Sequence, residues 1–188
     1  MRLALFGGTF DPIHNAHLAV AREAADHFQL DRVLLIPNAI PPHKVRLTGE
    51  SYLHRLAMVE LAAAADPRFH ASRLEEGQQK SYSILTIERV RAELGETAQL
   101  FFLIGADAFS EIETWFRWRE VLELVEFIVL SRPGYDYDVP AGARIHCLET
   151  LGLPVSSTDI RRRLAAGEAP PELPPAVLAY IREHRLYM

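Results

Sequence analysis

The sequence predicts an α/β domain built on one Rossmann-like, doubly wound parallel sheet with helices on both faces. Three observations predict it. Short apolar runs recur at Leu3–Phe6, Val33–Ile36, Leu100–Ile104 and Phe127–Leu130. None of them alternates, which suits strands buried on both faces of a sheet. Amphipathic helical stripes lie between the runs, and strand–helix alternation implies right-handed crossovers in a parallel sheet.

In chain order, the first run ends in Gly7-Gly8, the mark of a strand reaching a turn. A helix over His17–Phe28 then puts Leu18, Ala21, Ala25 and Phe28 on one stripe, with Asn15 as its expected cap. The segment Ser51–Ala65 repeats the pattern with Leu53, Leu56, Val59 and Leu61. Ser83–Leu94 does so with Ile84, Ile87, Val90 and Leu94, and Trp118–Val125 is a fourth helix before its strand. Near the end, Val155–Arg161 starts a helix, and the proline-rich Ala169–Pro175 makes a rigid corner between two late helices. No repeat or low-complexity linker interrupts residues 1–188, so one domain is expected.

Composition narrows the function. A chain of 188 residues, 49% hydrophobic, buries enough surface to need no disulfides. Its single cysteine, Cys147, excludes a disulfide within the chain. With no signal-like leader and no apolar run near the ~20 residues of a membrane helix, the expected location is the cytoplasm, away from any membrane. The net charge of −5 argues against a protein that holds long nucleic acid. The Arg161-Arg162-Arg163 run lacks the interleaved aromatics such a role would use. The sequence leaves oligomeric state open, and a homo-oligomer is compatible with it.

In doubly wound sheets, ligands bind beyond the carboxyl ends of the strands. The residues found there carry chemistry. After Phe6 comes Gly7-Gly8-Thr9-Phe10-Asp11-Pro12-Ile13-His14-Asn15-Ala16-His17. Glycines allow a ligand close to the backbone, and a helix start attracts phosphate. This is neither a Walker A loop nor Gly-x-Gly-x-x-Gly. His14 and His17 could be metal ligands, packing residues or phosphate donors, but no third ligand stands at zinc spacing. After Ile36, two prolines hold an extended segment that delivers His43 and Lys44. Lys44 is either a phosphate clamp or a solvated lysine. After Ile104, Gly105-Ala106-Asp107 suits a ribose hydroxyl, or an N-cap Asp107 for a helix Ala108–Glu111, or both. In Ser156-Ser157-Thr158, helix capping would use Ser157, leaving two hydroxyls and Arg161 to explain.

Together these segments resemble the nucleotidyltransferases related to class I aminoacyl-tRNA synthetases. Gly7–His17 is similar to their His-x-Gly-His signature, and SSTDIR (Ser156–Arg161) to their Ser-Ser/Thr-x-x-Arg signature. Within that superfamily the chain most resembles the bacterial nicotinate mononucleotide adenylyltransferases. The supporting stretches are GGTFDPIH, IPNAIPPHK, SYSILTIERV, FLIGADAF, TWFRW, SRPG and VSSTDIR, in the expected order and across nearly the whole chain. One departure is Ala16, where the family usually has glycine; its methyl is a small obstacle near the nucleotide.

The resemblance implies that ATP and nicotinate mononucleotide are joined into nicotinate adenine dinucleotide and pyrophosphate, a step of NAD biosynthesis. Attack on the ATP α-phosphate would be direct, without a covalent enzyme intermediate. It implies that His14, His17 and the Gly8-Thr9-Phe10 backbone line the ATP phosphates, joined by Lys44, Arg161 and the Ser156-Ser157-Thr158 hydroxyls. Gly105 and Asp107 would meet the ATP ribose and base region. Thr86, Trp115 and Phe116 would hold the nicotinate ring, with Asn38 and Arg132 near the mononucleotide. Mg²⁺ would be carried on the ATP phosphates, with no protein metal site. Alternatives are a sister transferase acting on nicotinamide mononucleotide or another phosphorylated acceptor such as phosphopantetheine, a nucleotide-binding module without catalysis, and a synthetase-like RNA binder.

Overall fold

A computed structural model of the chain describes residues 1–39, 50–77, 80–95, 97–134, 136–150 and 155–188. Among them six strands are formed: β1 (Arg2–Gly8), β2 (Arg32–Pro37), β3 (Phe69–Ala71), β4 (Gln99–Gly105), β5 (Glu126–Ser131) and β6 (Ile145–Glu149). They make one sheet in the order β3-β2-β1-β4-β5-β6, parallel at every neighbouring pair. The order reverses between β1 and β4, which is where a doubly wound sheet opens a crevice for ligand. The expected fold class is therefore the one found. Strands β3 and β6, both edges, were not among the sequence-derived elements.

The helices are α1 (Asn15–His27), α2 (Tyr52–Ala63), α3 (Ser83–Leu94), α4 (Ala106–Phe109), α5 (Trp118–Leu124), α6 (Ser157–Ala165) and α7 (Pro175–Glu183), with a 3₁₀ turn at Ile112–Thr114. Side chains of β1 and β4 alternate between two apolar layers. Ala4, Phe6, Phe101 and Leu103 face one layer, filled by α1, α2, α6 and α7. Leu3, Leu5, Leu100, Phe102 and Ile104 face the other, filled by α3, α4 and α5. Both faces of the central strands are thus dry, which is why their sequences do not alternate.

Helix α2 corrects one stripe. It buries Leu56, Met58, Val59 and Ala62, while Leu53 is 62% and Leu61 is 39% exposed. At ~100° per residue these two leucines lie far round the helix from Val59, beyond the reach of the sheet. None of the described helices is long and apolar enough to cross a membrane.

Candidate active site

The loop after β1 is held by its own aromatics. Phe10 adopts φ 48°, and its buried ring folds back edge-on against Phe6 and His17, with centroids 5.6 and 5.1 Å away. A Cβ on Gly8 would lie 3.0 Å from that ring, so a side chain there would have to push the ring aside. The Asp11–Pro12 bond is cis, and His14, in extended conformation, is the N-cap of α1. Asn15 is therefore not the cap: the helix starts two residues earlier than the stripe implied. Instead the Asn15 backbone N–H donates to Glu172 O (2.8 Å) and its amide to Pro171 O (3.3 Å). The proline-rich corner is thereby what anchors the helix start.

The two histidines act as a unit. Their rings stack with centroids 3.7 Å apart. The His14 backbone N–H donates to His17 Nδ1 at 3.2 Å, one half of a capping box. With Nδ1 an acceptor, the neutral His17 ring carries its proton on Nε2, free to donate. Burial pushes His14 down to about 4, partly offset by the negative Glu172. Burial, with His14 adding to it, pushes His17 down to about 3. Both rings are therefore neutral donors at pH 7.

That shift sets a pH dependence of stability. The folded values lie below the unfolded 6.5, so below pH 6.5 the unfolded chain binds more protons than the folded one. Stability is then lost as pH falls from about 6.5 toward 4 for His14 and toward 3 for His17. Denaturant titrations at pH 7 and pH 5 should differ by on the order of a few kcal/mol. A His14→Gln/His17→Gln variant should lose most of that difference, and an unchanged difference would refute the assignment.

The start of α6 divides its three hydroxyls among three tasks. Ser156, not Ser157, is the N-cap, accepting the Asp159 N–H at 3.1 Å. Ser157 Oγ donates to Pro12 O at 3.2 Å, tying α6 to the β1 loop. Thr158 Oγ1 accepts from Arg161, whose other terminal nitrogen donates to Asp11 O at 2.8 Å. Arg161 is thus drawn back across the sheet to the loop that carries the histidines.

Two cavities sharing His17, Val20, Leu130 and Val155 form one cleft along the carboxyl ends of β1, β4 and β5. The smaller, about 360 Å³, is lined by His14, Ala16, Ser156 and Ser157. The larger, about 620 Å³, is lined by Gly105, Asp107, Ser131 and Arg132. A Cβ on Gly105 would meet nothing within 4 Å, so that glycine leaves open space on the cleft side. Gly105 itself caps α4, and Asp107 lies in its first turn, so Asp107 is not the cap expected for Ala108–Glu111. Arg132 lies with Gly105 and Asp107, apart from the ring residues with which the mononucleotide role grouped it.

A third cavity, about 320 Å³, is lined by Lys80, Ser81, Tyr82, Ser83, Thr114, Trp115 and Phe116. Trp115 rests edge-on against Phe102 at 5.7 Å, while Phe116, 52% exposed, packs on Tyr82 at 4.9 Å. Ser83 is the first residue of α3, so first-turn N–H groups, which lack intrahelical partners, open here. Thr86 does not line this pocket. One turn deeper, it is 2% exposed and donates to Glu75 at 3.2 Å. The sequence reading missed Ser83, although its place at the head of the α3 stripe could have marked it. Lys44 lies outside the described residues, and Asn38 closes on β1 through its N–H to Gly8 O at 2.8 Å. Among the described residues no cluster of three or more His, Cys, Asp or Glu is placed to hold a metal ion.

Residues 5–163 match the cytidylyltransferase-like family. The chain is 58% identical over 187 residues, covering 100% of both chains, to a Solibacter usitatus protein named "Probable nicotinate-nucleotide adenylyltransferase". It is 42% identical over 208 residues to a Pseudomonas aeruginosa protein of the same name, covering 99% of this chain and 97% of that one. The structure of Plasmodium falciparum nicotinic acid mononucleotide adenylyltransferase complexed with NaAD superposes with a TM-score of 0.79 at 17% identity, covering 99% and 97% of the two chains. That likeness shows a shared fold. The chain belongs to the cytidylyltransferase-like family and, among its members, to the nicotinate-nucleotide adenylyltransferases.

Proposed function

We propose that this chain transfers the adenylyl group of ATP to nicotinate mononucleotide, forming nicotinate adenine dinucleotide and releasing pyrophosphate. The observation that carries the reading is the pair of stacked, neutral histidines lining a cleft at the switch between β1 and β4. That arrangement offers N–H donors to phosphate, and among the described residues neither serine hydroxyl lining it, one bonded to Asp159 N–H and the other to Pro12 O, is paired with a base.

None is needed. The mononucleotide phosphate has a second pKa of about 6 by analogy with phosphoamino acids, so its oxygen is ionised near neutral pH. It attacks the α-phosphorus in line, the bond to the bridging oxygen breaks, and the electron pair leaves with pyrophosphate. Catalysis is then alignment and charge stabilisation. His14 and His17 donate to the phosphates, and Arg161 adds its guanidinium; Lys44 is the further cation that the family resemblance implies. Gly105 and Asp107 take the ribose and base region. Mg²⁺, held by the ATP phosphates rather than by side chains of this chain, would supply charge screening to the leaving pyrophosphate. The N–H donors facing the cleft suit phosphate oxygen rather than the metal.

The aromatic pocket takes the pyridine ring. The positive end of α3 and Lys80 both line it, and a carboxylate gains more from them than an amide does. Nicotinate is therefore favoured over nicotinamide mononucleotide, roughly five- to thirtyfold for the 1–2 kcal/mol that a partly buried helix end can supply. A chromatographic assay with ATP and each mononucleotide tests this. Equimolar dinucleotide and pyrophosphate should appear with nicotinate mononucleotide, and no product would refute the function. Trp115→Ala should raise KM for the mononucleotide about tenfold, the lower range for loss of an aromatic stacking face. KM for ATP should stay within about twofold, and equal changes in both would move the ring elsewhere.

A further inference from the structure

Two buried charged side chains lie outside the cleft and take no part in the chemistry above. Arg55 on α2 is 2% exposed and Glu75 is 4% exposed. Among the described residues Arg55 donates to four backbone carbonyls: Thr9 O at 2.6 Å, Asn38 O at 2.7 Å, Ala39 O at 3.3 Å and Glu50 O at 3.2 Å. Thr9 belongs to the phosphate loop after β1, Asn38 and Ala39 to the loop after β2. Glu75 takes over at Ala39 itself. Its Oε2 accepts the Ala39 N–H at 3.1 Å and its Oε1 the Thr86 hydroxyl at 3.2 Å. Thr86 lies on α3, whose first residue lines the ring pocket.

We propose that Arg55 and Glu75 are positioning residues that fix the separation of the two substrate sites, through an unbroken hydrogen-bonded path from Thr9 to Thr86. The proposal rests on the adenylyl-transfer reading. Its physical ground is cost and geometry. Burying a charge against neutral carbonyls is expensive, and burial pulls the Arg55 guanidinium below its ordinary range. Apolar packing would serve stability as well or better. What apolar packing cannot do is bind carbonyls of two different loops at once, which the planar fork of arginine does and the point charge of lysine does not. Two substrates meeting in line need their reacting atoms about 3–3.5 Å apart, and about 1 Å of misplacement costs about 10²-fold.

The test uses Arg55→Lys and, at the far end of the path, the isosteric Thr86→Val. Three quantities are read for each: kcat, the Kd of ATP alone and of nicotinate mononucleotide alone by calorimetry, and Tm. The expected result is a kcat lower by about 10²-fold for Arg55→Lys and about tenfold for Thr86→Val. Each separate Kd should stay within about threefold of wild type, with most of the protein folded at the assay temperature. The double variant should be little worse than Arg55→Lys, since both cut one path. Unchanged kcat overturns the proposal. So does a loss of kcat matched by loss of either Kd, or one that tracks the unfolded fraction. A wild-type chain that binds both nucleotides yet forms no dinucleotide would overturn the adenylyl-transfer reading itself, and this proposal with it.

Discussion

Replacing His17 with alanine is expected to lower kcat by roughly 10²–10³, the scale for removing one preorganised donor to a developing charge. The expectation follows from how the ring is fixed. Its Nδ1 is occupied by the His14 N–H, its faces are packed by His14 and Phe10, and burial keeps it neutral. Only Nε2–H is left to face a phosphate, and it needs no reorganisation to do so. The stronger check is His17→Gln, whose side-chain N–H can reach about where Nε2 stood. It should recover a good part of kcat, whereas a purely structural histidine would show no such recovery. If His17→Ala turned over at the wild-type rate with its fold intact, the phosphate role would be lost.

The central strands were legible because they are buried on both faces, so their apolar runs stand unbroken. The edges were not. Strand β3 is three residues long, and β6 (Ile145–Glu149) has only Leu148 buried. Short, half-wet edge strands carry little apolar signal. Most of the candidate site was legible for a topological reason: its residues follow strand ends, so Gly8, His14, Gly105, Asp107 and the aromatic pocket loop stand out by position. What a sequence hides is which atom a residue uses. Three adjacent hydroxyls looked like one cap and have three partners. Thr86 looked like the residue facing the ring, yet its hydroxyl is spent on Glu75 and Ser83 faces the pocket instead. Arg55 reads as an ordinary helix cation, because three of its four carbonyl partners, Thr9, Asn38 and Ala39, come from loops distant in sequence. The Tyr187 hydroxyl, 176 residues from Asp11, donates to it at 2.6 Å, a contact no local pattern announces.

That last contact bears on the largest effect expected of any single residue. Arg161→Ala should lower kcat by about 10³, the lower end of what an arginine contributes to a migrating phosphoryl charge. Arg161 is already held in place. One terminal nitrogen donates to Asp11 O and the other to Thr158 Oγ1. Two of its five N–H donors are thereby engaged, leaving the rest of the fork for phosphate oxygens. Its anchor is itself rigid, because Asp11 Oδ1 accepts both the Tyr187 hydroxyl and the Glu50 N–H. In the proposed reaction the arginine would meet the phosphates with its rotamer decided beforehand, and little ordering cost would fall on the reaction. Arg161→Lys separates charge from geometry. It keeps the positive charge but cannot bind the loop carbonyl and phosphate together in a fork, so it should regain no more than about tenfold over alanine. Pyrophosphate release under saturating substrates reads both variants. Full activity in Arg161→Lys would mean that charge alone suffices. Loss of less than about tenfold in a folded Arg161→Ala would remove the residue from the catalytic set.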